Sequence, residues 1–152
     1  MAAGNPTPLP RYLHATLDKH TGIVHVATYA KGAAKYVLTG GADRTIRLWN
    51  PSTATEIKAY KGHGYEVLSI AVSVEHSHFT LMISVNLLHP LRAPDNAQFA
   101  SSGGDRNVFV WDVQAGEQIR RLQGHMGKVN AVAYNEDASV LATGTVSLVL
   151  NT

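Results

Sequence analysis

The chain repeats a set of His, Ser or Thr, and Asp residues, which are the residue types of a nucleophilic catalytic triad. In such a triad a histidine takes the proton of a hydroxyl nucleophile, and a carboxylate holds the imidazole in place. An Asp follows a Thr or Ser by four residues in two places, Thr39–Asp43 and Ser101–Asp105, and a histidine lies upstream of each. A nucleophile is needed only once per active site. The recurrence therefore favours a structural role, with hydrolysis kept as a minor hypothesis.

Two other patterns could bind a metal or a phosphate. Imidazole is a ligand for zinc or copper, and His76, His78 and His89 lie close together in the chain. No carboxylate follows them at a recognised ligand spacing, so we interpret them as a coincidental cluster. The pairs Gly40–Gly41 and Gly103–Gly104 precede no helical pattern and match neither a dinucleotide fingerprint nor a phosphate loop. The sequence predicts no metal and no cofactor.

Composition narrows the class of protein. With 152 residues, 45% hydrophobic and 16% charged, the chain fits one globular domain with a core. The net charge of +2 is too small to predict a nucleic-acid stripe or an anionic membrane partner. The absence of cysteine excludes disulfides and thiol catalysis. The apolar stretch Phe79–Leu88 is shorter than the about 20 residues of a membrane span. The first ten residues lack the apolar core of a secretory signal, so we expect a cytoplasmic or nuclear protein.

The elements that would position these residues are strands and turns. Short runs of β-branched and aromatic residues alternate with Gly, Asn and Asp clusters, and no long window has helical periodicity. The sequence therefore predicts an all-β fold. Predicted strands include 23–27, 45–49 and 129–133, and predicted turns include 40–43, 103–105 and 135–137.

Two segments align as copies of one repeat, 39–50 and 101–112, each with a Trp six residues after its Asp. This pattern resembles the WD40 repeat, whose four-stranded blades are arranged radially in a β-propeller. The resemblance implies that each blade holds a hydrogen-bonded tetrad of His, Ser or Thr, Asp and Trp. The residues at these positions are His20, Thr39, Asp43 and Trp49; His63, Ser101, Asp105 and Trp111; and, in an incomplete third copy, His125 and Thr143.

Three shorter sequence segments resemble one subfamily of WD40 proteins. The segments Lys61–Val67, Gly124–Asn130 and Tyr36–Gly41 are similar to the mitogen-activated protein kinase organizer 1 subfamily. This resemblance implies a scaffold for kinase-pathway components, with a spliceosome-associated role in pre-mRNA splicing as the alternative. Neither role follows from the residue chemistry itself.

The repeats give a domain plan with two irregular places. A flexible segment 1–10 precedes WD40 repeats over 11–145: blade one at about 18–60, blade two at about 61–122 and a partial blade three at 123–145. The irregular places are an insert, 74–93, which follows the Val-Ser pair 72–73, and an atypical tail, 146–152, which begins with the Val-Ser pair 146–147. A splice-donor sequence read in frame would also encode Val-Ser. The two segments are therefore interpreted as translated intron sequence, while a genuine surface loop in blade two is the alternative for the insert.

Two blades and part of a third predict an open arc, whose unpaired edges would favour self-association. We expect a non-enzymatic scaffold that binds other proteins. The small charge and the 7% aromatic content argue against direct RNA binding. Exposed residues beside the predicted tetrads are the candidate partner surface: Arg44, Tyr65, Glu66, Arg106 and Lys128.

Overall fold

The computed structural model of the chain describes residues 13–30, 35–73, 98–136 and 138–145, and these residues form ten strands and no helix. No helix in those ranges is therefore long and apolar enough to cross a membrane. The strands are β1 (Val24–Tyr29), β2 (Val37–Gly41), β3 (Thr45–Asn50), β4 (Thr55–Lys61), β5 (Val67–Val72), β6 (Gln98–Gly103), β7 (Val108–Asp112), β8 (Gln118–Leu122), β9 (Val129–Tyr134) and β10 (Leu141–Thr145).

The strands form three antiparallel sheets in sequence order. The first sheet is β1-β2-β3-β4, the second is β5-β6-β7-β8, and the third is the pair β9-β10. The two complete sheets share their register: Ala27 lies opposite Thr39 in the first, and Ile70 lies opposite Ser101 in the second. The predicted all-β class is confirmed, and the open antiparallel sheets agree with the expected partial propeller.

The first and second sheets pack face to face over one apolar core. Tyr60 at the end of β4 is 1% exposed, and its ring meets the edge or face of Phe99 and Trp111 at centroid distances of 4.9 and 5.9 Å. Its hydroxyl donates a hydrogen bond to the carbonyl of Val113 at 3.1 Å. The buried residues of this core are Leu38, Ile46, Leu48, Tyr60, Val67, Ile70, Val72, Phe99, Phe109 and Trp111.

A second core joins the second and third sheets. It consists of Ala100, Val108, Val110, Val129 and Val132. By contrast, every residue of β8 is exposed, and Leu122, at the position that Tyr60 has in β4, is 41% exposed.

The glycine pairs were predicted as turns, and this prediction is wrong in part. Gly40 and Gly41 are the last residues of β2, and Gly103 ends β6. The backbone there runs so close to the first strand of the sheet that a Cβ on Gly41 would lie 2.5 Å from the Ile23 carbonyl oxygen. The left-handed backbone of the turn falls on the arginine after the Asp instead, with φ of 64° at Arg44 and 63° at Arg106.

Some sequence predictions lie outside the described residues. These are the segment 1–10, the insert 74–93 with its three histidines, and the tail 146–152. Among the described residues, 13–19 lie before β1 without forming a strand.

Candidate interaction surface and the buried tetrads

In the first sheet, four side chains form a hydrogen-bonded chain from the core to the turn. The Trp49 indole N–H donates to Thr39 Oγ1 at 2.7 Å, and Thr39 Oγ1 is 2.7 Å from His20 Nε2. His20 Nδ1 lies 2.9 Å from Asp43 Oδ2. The same carboxylate accepts the Thr45 backbone N–H at 3.2 Å, so Asp43 also fixes the turn.

The second sheet repeats this arrangement with Ser in place of Thr. The Trp111 indole N–H donates to Ser101 Oγ at 2.8 Å, which lies 2.8 Å from His63 Nε2. His63 Nδ1 is 2.8 Å from Asp105 Oδ2, and the Gly64 N–H donates to that oxygen at 2.9 Å. Both sets that the sequence proposed as tetrads are therefore brought together.

The donors and acceptors assign a direction to the hydrogen bonds of the second tetrad. A carboxylate only accepts, so His63 donates from Nδ1, and in the neutral imidazole Nε2 then accepts from the Ser101 hydroxyl. Burial lowers the pKa of His63 below its ordinary value, although the nearby Asp105 carboxylate opposes this shift. The neutral imidazole that this direction requires is thus the favoured form.

The order Ser–His–Asp is that of a catalytic triad, but the oxygen has no access to a substrate. Ser101 is 0% exposed, and its Oγ already accepts the Trp111 indole N–H. An acyl group would have to enter the core to reach this oxygen. The geometry supports the structural interpretation of the tetrads.

The third sheet holds the partial set. His125 Nε2 lies 2.8 Å from Thr143 Oγ1, on the loop before β9 and on β10 respectively. Within the described ranges, no group of three or more His, Cys, Asp or Glu side chains could hold a metal ion.

The repeated register and tetrads agree with the comparisons to known proteins. The family described as WD domain, G-beta repeat (WD40) matches residues 11–50, 91–112 and 116–147, which is more than half of the chain. The chain belongs to the WD40 repeat family. The WD40 match leaves out residues 51–90, where most of the predicted insert lies.

Several WD40 proteins of one name are similar to the chain over part of its length. WD repeat domain-containing protein 83 of Rattus norvegicus is 43% identical over 82 residues, covering 51% of this chain and 26% of the relative. The Homo sapiens protein of that name is 42% identical over 72 residues, covering 47% and 22%. The Dictyostelium discoideum homolog is 27% identical over 130 residues, covering 85% and 33%. The chain thus spans between 22% and 33% of the length of these relatives.

The candidate partner residues form a row across the three WD40 sheets. The Arg44 guanidinium lies 5.8 Å from the centre of the Tyr65 ring, which joins the first sheet to the second. The next residue, Glu66, accepts a hydrogen bond from Lys128 Nζ at 2.7 Å, which joins the second sheet to the third. We call Arg44, Tyr65, Glu66 and Lys128 the cross-sheet row. The fifth candidate, Arg106, is exposed at the turn after Asp105.

Sequence reasoning missed an ionic network on the first sheet. Arg47 Nη1 donates to Glu56 Oε1 at 2.6 Å, and Lys19 Nζ lies 3.0 Å from Glu56 Oε2. Arg47 also lies 3.6 Å from the tetrad carboxylate of Asp43. Burial opposes ionisation of Glu56, but the bonds from Lys19 and Arg47 outweigh it and hold its pKa below the ordinary value. The signal was a Lys before the tetrad His, together with an Arg on β3 and a Glu on the neighbouring strand β4.

Proposed function

We propose that the chain is part of a non-enzymatic protein-interaction scaffold that holds components of a mitogen-activated protein kinase pathway near one another. The observation that carries this proposal is the cross-sheet row, which presents two cationic side chains, one carboxylate and one tyrosine across three adjacent sheets. Arg and Tyr are enriched among the residues that dominate binding energy at protein interfaces.

Two further points support a scaffold. The tetrads engage their Asp, His and Ser or Thr groups with one another, which leaves the exposed turn residues as the chemically available surface. A surface that spans several blades can hold two partners at once and raise their effective concentration without any reaction. The kinase pathway is inferred from the phrases Lys61–Val67 and Gly124–Asn130.

The test is capture of purified, tagged mitogen-activated protein kinase and its upstream kinase by the chain. Arg44→Glu and Arg106→Glu should each reduce capture several-fold, because each reverses a charge at the turn edge without touching the core. Arg120→Glu, an equal charge reversal on exposed β8, is the matched control and should capture normally. Unchanged capture by both turn variants would refute this surface.

A further inference from the structure

The two complete blades differ at one place, which side chains fill in the first blade and which is an open cavity in the second. In the first blade, Glu56 lies opposite Trp49 and binds Lys19 and Arg47. In the second blade, a cavity of about 550 Å³ lies beside the corresponding strands β7 and β8. Its lining includes Gly62, Arg106, Asn107, Phe109, Gln118 and Arg121.

The strand registers show which side chains were exchanged. Gln118 lies opposite Trp111, so it stands where the first blade has Glu56. Gly62 precedes the tetrad histidine, where the first blade has Lys19. These two changes remove the internal carboxylate and one of the side chains that bound it.

The second blade also has a cationic side chain, but on its fourth strand, β8, whereas Arg47 of the first blade is on the third strand, β3. Arg121 lies opposite Phe109, where the first blade has Ala59 opposite Arg47. The Arg121 guanidinium is 5.8 Å from the centre of the Phe109 ring, and its Nε donates to Asn107 Oδ1 at 3.2 Å. These contacts orient the guanidinium at the cavity.

The cavity has cations without an internal anion to neutralise them. Among residues 13–30, 35–73, 98–136 and 138–145, neither Arg106 nor Arg121 forms an ion pair. The one carboxylate in the lining, Asp105, accepts hydrogen bonds from His63, Gly64 and Asn107. Its charge is therefore directed into the tetrad and the turn.

We propose that this cavity binds one anionic side chain of a partner protein, a carboxylate or a phosphate, which takes the place that Glu56 has in the first blade. A guanidinium can hold either oxyanion through two parallel hydrogen bonds, and Gln118 and Arg106 supply further N–H donors. The inference rests on the proposed scaffold function and names the chemistry of one contact. We call Arg106, Gln118 and Arg121 the anion pocket.

The experiment measures binding of labelled peptide pools to the purified full chain by fluorescence anisotropy. Three pools are identical except at the central position, which is phosphoserine, glutamate or alanine. The phosphoserine or the glutamate pool should bind at least about fivefold tighter than the alanine pool, because only these supply a charge-assisted hydrogen bond to Arg121. The stronger of the two identifies the source of the anion.

Two variants locate the binding. Arg121→Gln should lower the affinity for the anionic pool to nearly the affinity for the alanine pool. Arg120→Gln, which removes the neighbouring charge on the same strand, should leave the affinity for the anionic pool unchanged. Gln118→Glu places in the second blade the carboxylate that the first blade has at Glu56. This carboxylate should compete with the peptide and weaken binding of the anionic pool about fivefold or more. Circular dichroism and thermal unfolding of each variant establish that it is folded.

Three results would overturn the anion pocket. The first two are equal binding of all pools and equal losses in Arg121→Gln and Arg120→Gln. The third is tighter binding of a labelled single-stranded RNA, titrated in the same anisotropy assay, than of the anionic peptides. None of them changes the kinase capture measured with Arg44→Glu, so failure of the pocket and failure of the scaffold remain separate.

Discussion

At the scale of single residues, the hydroxyl at the centre of each complete tetrad serves two neighbours. Ser101 Oγ accepts the Trp111 indole N–H and donates to His63 Nε2, and all of this lies within the core. The adjacent Ser102 is also 0% exposed, but its Oγ has no hydrogen-bond partner among the described residues. Two neighbouring serines of equal burial thus differ in their hydrogen bonds.

This difference gives the first prediction. Ser101→Ala should lower the free energy of unfolding by about 1–3 kcal/mol, because it leaves a buried indole N–H and a buried imidazole nitrogen unpaired. Ser102→Ala removes an unpaired hydroxyl and should change stability by less than about 0.5 kcal/mol or increase it. Urea unfolding of both variants measures the two values. A larger loss in Ser102→Ala would contradict the tetrad geometry.

The second prediction concerns pH and His63. Burial lowers the pKa of His63 below 6.5, so the folded chain binds this proton less readily than the unfolded chain. The resulting stabilisation is complete above pH 6.5 and is lost as the pH falls from 6.5 toward the folded pKa. Urea midpoints at pH 7.5 and 5.5 should differ more in the wild type than in His63→Gln. Replacement of the exposed His14 by Gln should leave the difference unchanged.

At the scale of strands and turns, the sequence predicted the kind of element better than the role of its glycines. The predicted strand 45–49 lies within β3 and 129–133 within β9. The Gly-Gly pairs read as turn formers, yet no glycine in either pair has positive φ. Their role is close approach of the backbone, because a Cβ on Gly41 or Gly103 would overlap the carbonyl oxygen of Ile23 or Glu66, respectively. Such an approach depends on a partner strand far away in sequence.

The third prediction tests this close approach. A Cβ on Gly103 would overlap the Glu66 carbonyl oxygen. Gly103→Ala should therefore cost about 1–3 kcal/mol, since the backbone of β5 or β6 must shift. Gly144 in β10 is the control, because a Cβ there would meet only Ala131 at 3.7 Å. Gly144→Ala should be neutral or stabilise by up to about 1 kcal/mol. Similar losses in the two variants would contradict the steric explanation.

The sequence named the residues of the candidate surface but not the contacts between them. The rule that residues exposed beside a tetrad form the surface selected Arg44, Tyr65, Glu66, Arg106 and Lys128. Which of them meet depends on how neighbouring sheets pack, and the spacing within one repeat contains no such information. Arg121 was missed because its place at the cavity is recognised only when the strand positions of the second blade are compared with those of the first.

At the scale of the whole molecule, the sheets depend on side chains that cross between them. Tyr60 belongs to the first sheet but is buried against Phe99 and Trp111 of the second. Lys58 of the same strand donates to the Gln114 carbonyl of the second sheet at 2.6 Å. The first two sheets should therefore unfold together as one cooperative unit.

The last prediction is that one substitution, at Tyr60, uncouples the unfolding of the first two sheets. Tyr60→Ala should cost about 3–5 kcal/mol because it empties the centre of the shared core, and Tyr60→Phe about 1 kcal/mol because it removes only the bond to Val113. Leu122→Ala, at the same strand position but exposed, should cost far less. The chain has two tryptophans, Trp49 and Trp111, one in each sheet.

Single-tryptophan variants, Trp49→Phe and Trp111→Phe, allow each sheet to be followed separately by fluorescence during urea unfolding. With Tyr60 present, the two transitions should coincide when each is compared with far-UV circular dichroism of the same variant. With Tyr60→Ala, the transitions should separate, because the sheets have lost the side chain that couples their cores. Coincident transitions in Tyr60→Ala would show that the coupling lies in the remaining contacts, Lys58 and the β1–β5 packing among them, and would refute the central role of Tyr60.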